Sequence, residues 1–115
     1  MPLSNFWGAT LDRSVTGQIT VTLEGVTVTV PWVSTKASKS DILAAAVFTT
    51  KYVIDKGVSN QTLWDYRHLY AYYTWKALDY ADKIATLPQN QRAPWTAKQN
   101  RCITERDRYK ALAGE

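Results

Sequence analysis

The chain has little of what most catalytic and metal sites are built from. Its 115 residues include one cysteine, Cys102, and one histidine, His68. A single cysteine excludes an internal disulfide, and together with one histidine it cannot supply the ligand set of a structural zinc site. The ten acidic residues are scattered, and glycine-rich phosphate-binding motifs and nucleophile-elbow motifs do not occur. The sequence therefore predicts a protein that is not an enzyme and has no cofactor or metal.

Both of these single residues have a simple packing interpretation. His68 falls inside a long predicted helix, where we expect it at the surface or in a helix contact rather than as a general base or metal ligand. Cys102 falls on the thin apolar stripe of the last predicted helix, so we expect a small buried hydrophobic residue. The alternative for Cys102 is a reactive thiol whose pKa is lowered by Arg101 and Arg106.

Long hydrophobic runs are missing as well. The longest, Ile42 to Phe48, is far shorter than the roughly 18 apolar residues that cross a bilayer. Residues 1–10 have neither the basic start nor the apolar centre of a secretory signal peptide. We therefore expect no membrane partner. The expected location of the chain is the cytoplasm, or a virus particle that is assembled in the cytoplasm.

What the sequence does contain is a clear alternation of polar and apolar residues. Residues 18–23 read Gln-Ile-Thr-Val-Thr-Leu, residues 26–30 read Val-Thr-Val-Thr-Val, and Glu24 and Gly25 stand between them. A period of two with β-branched residues is typical of half-buried strands, and the Glu-Gly pair fits a tight turn in which glycine takes a positive φ. The pattern predicts a β-hairpin over residues 16–31. Because an isolated hairpin is marginally stable in water, its apolar face must pack on helices or on another chain.

Three helices are predicted to follow the hairpin, over about residues 40–56, 60–87 and 96–112. The first is apolar around most of its circumference in its first half, which indicates burial on more than one side. The third has few apolar residues and is expected to show a mostly charged face to solvent or a partner. We therefore predict a single α+β domain over residues 16–115, an N-terminal β-hairpin packed on about three α-helices. An extended N-terminal arm over residues 1–15 precedes it.

Capping signals set the expected helix boundaries. Asn60 or Thr62 is placed to start the second helix, because both side chains accept hydrogen bonds from the first helical N–H groups. Thr96 and Gln99 have the spacing of a capping box, so the third helix is expected to begin after Pro94.

The aromatic content is unusual, with five tryptophans and seven tyrosines. Seven of these rings are crowded into residues 64–80. Tyr66 and Tyr73 belong to one line along the second helix, whereas Trp64 and Tyr72 project away from it. One helix face in a 115-residue monomer cannot bury them all. We expect the surplus to contact a protein partner, where Tyr and Trp are enriched, or to stack on unpaired bases.

The favoured function is a non-enzymatic protein–protein interaction or assembly subunit. Its partners would be other protein chains, in a homo-oligomer or a larger assembly. The candidate contact residues are large aromatic side chains of the arm, the linker and the second helix: Phe6, Trp7, Trp32, Trp64 and Tyr72. Exposed aromatic residues on an extended arm are usual for a segment that docks on a neighbour. The profile of size, arm, hairpin and helices is similar to that of small virion and neck components of tailed phages, with no shared motif.

The alternative is nucleic-acid binding by the basic C-terminal helix. The net charge is +4, and residues 88–115 hold six basic residues against three acidic ones. The six candidates for contact with an anionic partner are Arg92, Lys98, Arg101, Arg106, Arg108 and Lys110. Lys98, Arg101 and Arg108 share one face of the predicted helix, but Glu105 interrupts it. Such a mixed pattern is also typical of a solvated helix, which places this alternative second.

Overall fold

The fold begins with a three-stranded antiparallel sheet. A computed structural model describes residues 8–32 and 39–115 of the chain. The strands are β1 (Thr10–Asp12), β2 (Gln18–Leu23) and β3 (Val26–Pro31), in the spatial order β1-β2-β3. The predicted hairpin is confirmed, because β2 and β3 pair directly with Val21 opposite Val28.

The alternating pattern of the hairpin separates its two faces. The buried side chains are the apolar ones: Ile19, Val21, Leu23, Val28 and Val30. Threonines occupy the outer face and pair across the strands, with Oγ1 of Thr20 3.0 Å from Oγ1 of Thr29 and Oγ1 of Thr22 3.1 Å from Oγ1 of Thr27. One face of the sheet is therefore left to pack on the helices.

The turn between β2 and β3 has both central residues in the left-handed region. Gly25 has a φ of 78°, as predicted, and Glu24 has a φ of 51°. Two positive φ angles in a two-residue loop define a type I′ turn, whose twist matches that of the flanking strands. Glu24 is therefore held in a conformation that costs a residue with a side chain about 1–2 kcal/mol.

Strand β1 lies within residues 1–15, the stretch that the sequence predicts to be an extended arm. Thr10, Leu11 and Asp12 pair with β2, and Ala9 is buried in the core. Leu11 also packs against the core, so its apolar side chain gains from joining the sheet. A strand of three residues is too short to show a period-two pattern, which is why the sequence did not predict it.

Helix α1 (Lys39–Lys56) is the central element of the core. The six consecutive residues Ile42–Val47 are all buried, which confirms burial on more than one side. The helix contacts β2, β3 and α2. Its two buried threonines are satisfied internally, because Oγ1 of Thr49 donates to the carbonyl of Ala45 and Oγ1 of Thr50 donates to that of Ala46.

Helices α2 (Gln61–Ala85) and α3 (Ala93–Leu112) form an antiparallel helical hairpin. The side chain of Asn60 caps α2 by accepting from the N–H groups of Thr62 and Leu63, as the sequence predicts. A 3-10 turn over Gln89–Gln91 joins the two helices. Helix α3 begins three residues before its predicted start, with Pro94 in its first turn. Proline is tolerated there because the first-turn N–H groups have no partner within the helix.

The elements stack in layers, with the sheet on α1 and α2, and α3 on the far side of α2. This arrangement is the α+β fold that the sequence predicts. Cys102 is the one buried residue of α3, so this helix packs on α2 through a narrow face. Within residues 8–32 and 39–115, no helix combines the length and the hydropathy needed to cross a bilayer.

Candidate partner-binding surface

The aromatic residues of α2 are divided between two neighbours. Tyr66 and Tyr73 face α3, where the ring of Tyr109 lies 6.1 Å and 5.9 Å from them, the latter pair nearly parallel at 5°. Further along, Tyr80 meets Trp95 of α3 at 5.9 Å. Three of the rings that seemed surplus in the sequence are therefore used to hold the helical hairpin together.

The opposite side of α2 faces the core, and two of the predicted contact residues lie there. Tyr72 is 4% exposed and belongs to the hydrophobic core, and its burial raises the pKa of the phenol. Trp64 is half-buried against the same core, and its indole Nε1 donates to the carbonyl of Val58 at 3.1 Å. Tyr72 thus has no free surface to offer a partner, because α2 has a neighbour on each side.

The remaining predicted aromatic contacts come from the parts of the chain that precede α1. Trp32 is half-buried against the core, and the guanidinium of Arg13 lies 5.3 Å from its ring centroid. Phe6 and Trp7 lie outside the described residues. Of the predicted contact residues that the structure describes, Trp32 and Trp64 are thus half-buried and Tyr72 is buried.

A different aromatic pair, half-buried, lies at the end of the α2–α3 hairpin. Tyr80 and Trp95 border a groove of about 460 Å³, which we call the hairpin-end groove. Its lining residues are Asp79, Tyr80, Asp82, Lys83, Thr86 and Trp95. Ala77 is the last buried residue of α2, and Leu78 is 61% exposed. This end of the hairpin therefore has no other described element packed on it.

Lysine side chains surround the rings of this groove. The ammonium groups of Lys83 and Lys98 lie 5.2 Å and 4.3 Å from the centroid of Trp95, and that of Lys76 lies 4.9 Å from Tyr80. These are cation–π distances. The spacing of Asp79 and Lys83 predicts an ion pair, but Asp79 instead pairs with Lys76 at 3.4 Å.

The six basic residues proposed for an anionic partner do not form one free surface. Nε of Arg92 donates to the carbonyl of Leu87 and so braces the turn between the helices. Arg106 pairs with Asp107, and Arg108 pairs with Glu105. Within the described part of the chain, Lys98, Arg101 and Lys110 have no ion pair.

Lys98 and Arg101 are close neighbours on α3, but Lys110 is not. It lies nine residues after Arg101, about two and a half turns, which places it on the opposite side of the helix. Lys98 and Arg101 therefore lie on one side of α3 without an ion pair in the described residues, and Lys98 adjoins the Trp95 ring of the hairpin-end groove.

The two chemically reactive single residues are both buried. His68 is 0% exposed, and burial lowers its pKa to about 4. Neither ring nitrogen makes a hydrogen bond of good geometry to the described residues, although the nearby backbone of Ala45 and Pro31 favours the proton and opposes the shift. Burial likewise raises the pKa of the Cys102 thiol, so the neighbouring arginine does not activate it. The helix-packing interpretation of both residues agrees with this placement.

Arg67 is the one buried cation of α2. Its guanidinium carbon lies 3.6 Å from the ring centroid of Tyr52, and the group forms an ion pair with Glu115. Phe48, Tyr52 and Arg67 border a small pocket of about 210 Å³ between α1 and α2. No residue pattern predicts this contact, because Arg67 lies between aromatic positions and has the spacing of a residue on a solvated face.

Among residues 8–32 and 39–115, no group of three His, Cys, Asp or Glu side chains is placed to hold a metal ion. No protein-family model matches the chain, and neither the curated proteins nor the solved structures include a match. The surface itself is therefore the basis for a functional proposal.

Proposed function

We propose that the chain is a non-enzymatic protein–protein interaction or assembly subunit that contacts its partner through the hairpin-end groove. The observation that carries this proposal is the half-buried Tyr80–Trp95 pair, which borders a groove at the end of a helical hairpin that extends past the core. Tyr and Trp are enriched among the residues that dominate binding energy at protein interfaces. A small structural component of a larger particle, such as a phage virion or neck, is one form of this role, and cytoplasmic assembly would suit it.

The apolar surface next to the groove supports the same role. Tyr80 and Trp95 give the apolar centre of a contact, and Asp79, Asp82 and Lys83 give its polar rim. Leu78, one turn before Asp82 on α2, is 61% exposed and adds apolar surface to this end of the helix.

The position of the reactive side chains favours binding over catalysis. His68 and Cys102 are buried in the packing of the helices and do not line the hairpin-end groove. The described lining of the groove consists of two carboxylates, one lysine, one threonine and two aromatic rings. A surface of this kind suits recognition through contact area and charge.

The first test is size-exclusion chromatography with light scattering on the purified protein. We expect species larger than the 13.0 kDa monomer, and we expect Trp95→Ala to reduce them. The matched control is Leu112→Ala, which removes an exposed apolar side chain near the other end of α3. A monomer at every concentration, or equal loss of assembly in both variants, would argue against self-assembly through this groove.

The second candidate function is nucleic-acid binding at the same end of the hairpin. The observation that favours it is the position of Lys98 beside the Trp95 ring, with Arg101 three residues further along α3, because bases stack on aromatic rings while basic side chains meet phosphates. The absorbance ratio at 260 and 280 nm on the chromatographic peak tests it. A monomer that carries nucleic acid at low salt and loses it at high salt would favour this candidate over assembly.

A further inference from the structure

We infer that the hairpin-end groove binds an acidic segment of a partner protein. In this arrangement a carboxylate lies between the ammonium groups of Lys83 and Lys98, and an apolar side chain rests on the Tyr80–Trp95 pair. The inference rests on the proposed function, to which it adds the chemical class of the partner.

Lys83 and Lys98 have no ion-pair partner in the described part of the chain. Each ammonium lies near the Trp95 ring, and neither forms an ion pair with a described carboxylate. Because both lie close to one centroid, they are within roughly 10 Å of each other, about one Debye length at 0.1 M salt. At this separation both charges attract an anionic group that binds beside the Trp95 ring.

The cation–π contacts hold these lysines in place without neutralising them. Such a contact contributes about 0.5–1 kcal/mol at an exposed site and leaves the N–H donors of the ammonium free for other partners. A carboxylate is the protein group that accepts from such donors with a full opposite charge. Because the rings already orient both side chains, the entropy cost of arranging them around a ligand is reduced.

The acidic residues of the groove favour a peptide over a nucleic acid. Asp79 and Asp82 line the same surface as Lys83, and Asp82 forms no ion pair within the described residues. A nucleic-acid strand carries a charge at every phosphate, so it would bring negative charge next to these carboxylates. A peptide has side-chain carboxylates only at its Asp and Glu residues, so its neutral or apolar residues can lie beside Asp82.

The size of the groove agrees with a short segment. Its volume of about 460 Å³ lies at the lower end of the roughly 300–1,000 Å³ typical of ligand pockets. It is open along the hairpin, so a chain can enter and leave it without rearranging the core. The expected ligand is thus a few residues with acidic side chains next to one large apolar side chain.

The test is selection of peptides from a displayed random library on the full chain. Peptides that also bind Trp95→Ala are removed, and selected sequences are synthesised for fluorescence-anisotropy titration. We expect enrichment of Asp and Glu beside an aromatic or aliphatic residue. Changing those acidic residues to Asn and Gln should weaken binding by about tenfold, as two partly exposed ion pairs would.

Variants that keep the rings in place separate charge from folding. Lys83→Gln combined with Lys98→Gln should also weaken binding about tenfold, whereas Lys110→Gln, on another side of α3, should not. Thermal melting of each variant checks that the fold is retained. Equal affinity of the double variant and the wild type would overturn the inference.

The other outcomes distinguish the inference from the function on which it rests. Selected peptides that need Trp95 but lack acidic residues would overturn the acidic partner and leave the groove as a protein-binding surface. A library that gives no Trp95-dependent peptide would overturn both. A single-stranded DNA oligonucleotide that binds more tightly than the best acidic peptide, and loses affinity in the lysine double variant, would assign the groove to nucleic acid instead.

Discussion

His68, the single histidine of the chain, should make the stability of the fold depend on pH. Its ring is completely buried, close to the backbone of Ala45 in α1 and of Pro31 in β3. Burial lowers its pKa from 6.5 to about 4, because the protonated ring would have to lose its hydration. Folding therefore requires the neutral imidazole.

The direction of the effect follows from the proton affinities of the two states. The unfolded chain binds the proton below pH 6.5, and the folded chain binds it only below about pH 4. The contribution of His68 to the free energy of unfolding is therefore fully present above pH 6.5. It decreases as the pH falls from 6.5 to about 4, and it does not decrease further below pH 4. A pKa difference of this size corresponds to about 3 kcal/mol, a large part of the roughly 5–15 kcal/mol of an ordinary domain.

The assay is urea unfolding followed by circular dichroism between about pH 7.5 and about pH 4.5, in the wild type and in His68→Leu. Asp41, whose pKa is raised mainly by burial, contributes with the opposite sign, but it is present in both proteins and cancels in their difference. We expect the wild type to lose about 2 kcal/mol more than the variant across this range. Because neither ring nitrogen makes a hydrogen bond of good geometry, we also expect the variant to lose little stability at neutral pH. A difference that does not change with pH would refute the buried neutral histidine.

Three further predictions concern the turn, the thiol and the buried cation. Gly25→Val should lower the free energy of unfolding by about 1–2 kcal/mol through backbone strain alone, since no atom lies within 4 Å of the added Cβ; an unchanged melting temperature would contradict the type I′ turn. Cys102 should react slowly with a thiol-specific chromogenic disulfide in the native protein and rapidly in denaturant, and a fast native reaction would exclude its burial. Glu115→Gln should cost about 1–3 kcal/mol because it leaves the guanidinium of Arg67 buried without its counter-charge. Glu105→Gln, in a more exposed pair, should cost less than half as much in the same denaturation assay, and equal costs would count against the buried pair.

The elements that could be predicted from the sequence are those that produce a recognisable local pattern of residues. The hairpin follows from the alternation over residues 18–30 and the Glu24-Gly25 turn, and the start of α2 follows from Asn60. Strand β1 was missed because three residues carry no period and are held by β2 rather than by their own pattern. The predicted start of α3 was too late, because a proline such as Pro94 is equally compatible with the position before a helix and with the first turn of a helix.

The contact surface was harder to predict because it depends on the number of neighbours of α2. The sequence places Trp64 and Tyr72 off the main aromatic line, and this is correct. It does not reveal that α1 and the sheet cover that second side, so rings that fill the core were assigned to a partner. Trp95 was overlooked for the converse reason, because its partner ring, Tyr80, comes from another helix.

The position of α3 links the fold to the proposed role. The first turns of α1 lie beside Lys76 and Asp79, which influence the pKa of Asp41, so the part of α2 beyond Asp79 continues past the start of α1. There the described structure gives α2 only α3 as a neighbour, and α3 itself buries only Cys102. Such an extension buries little apolar surface, whereas ordering its residues costs conformational entropy. In the proposed role the Tyr80–Trp95 pair both joins the two helices and contacts a partner. Substitutions at the hairpin-end groove should then reduce binding far more than they reduce stability.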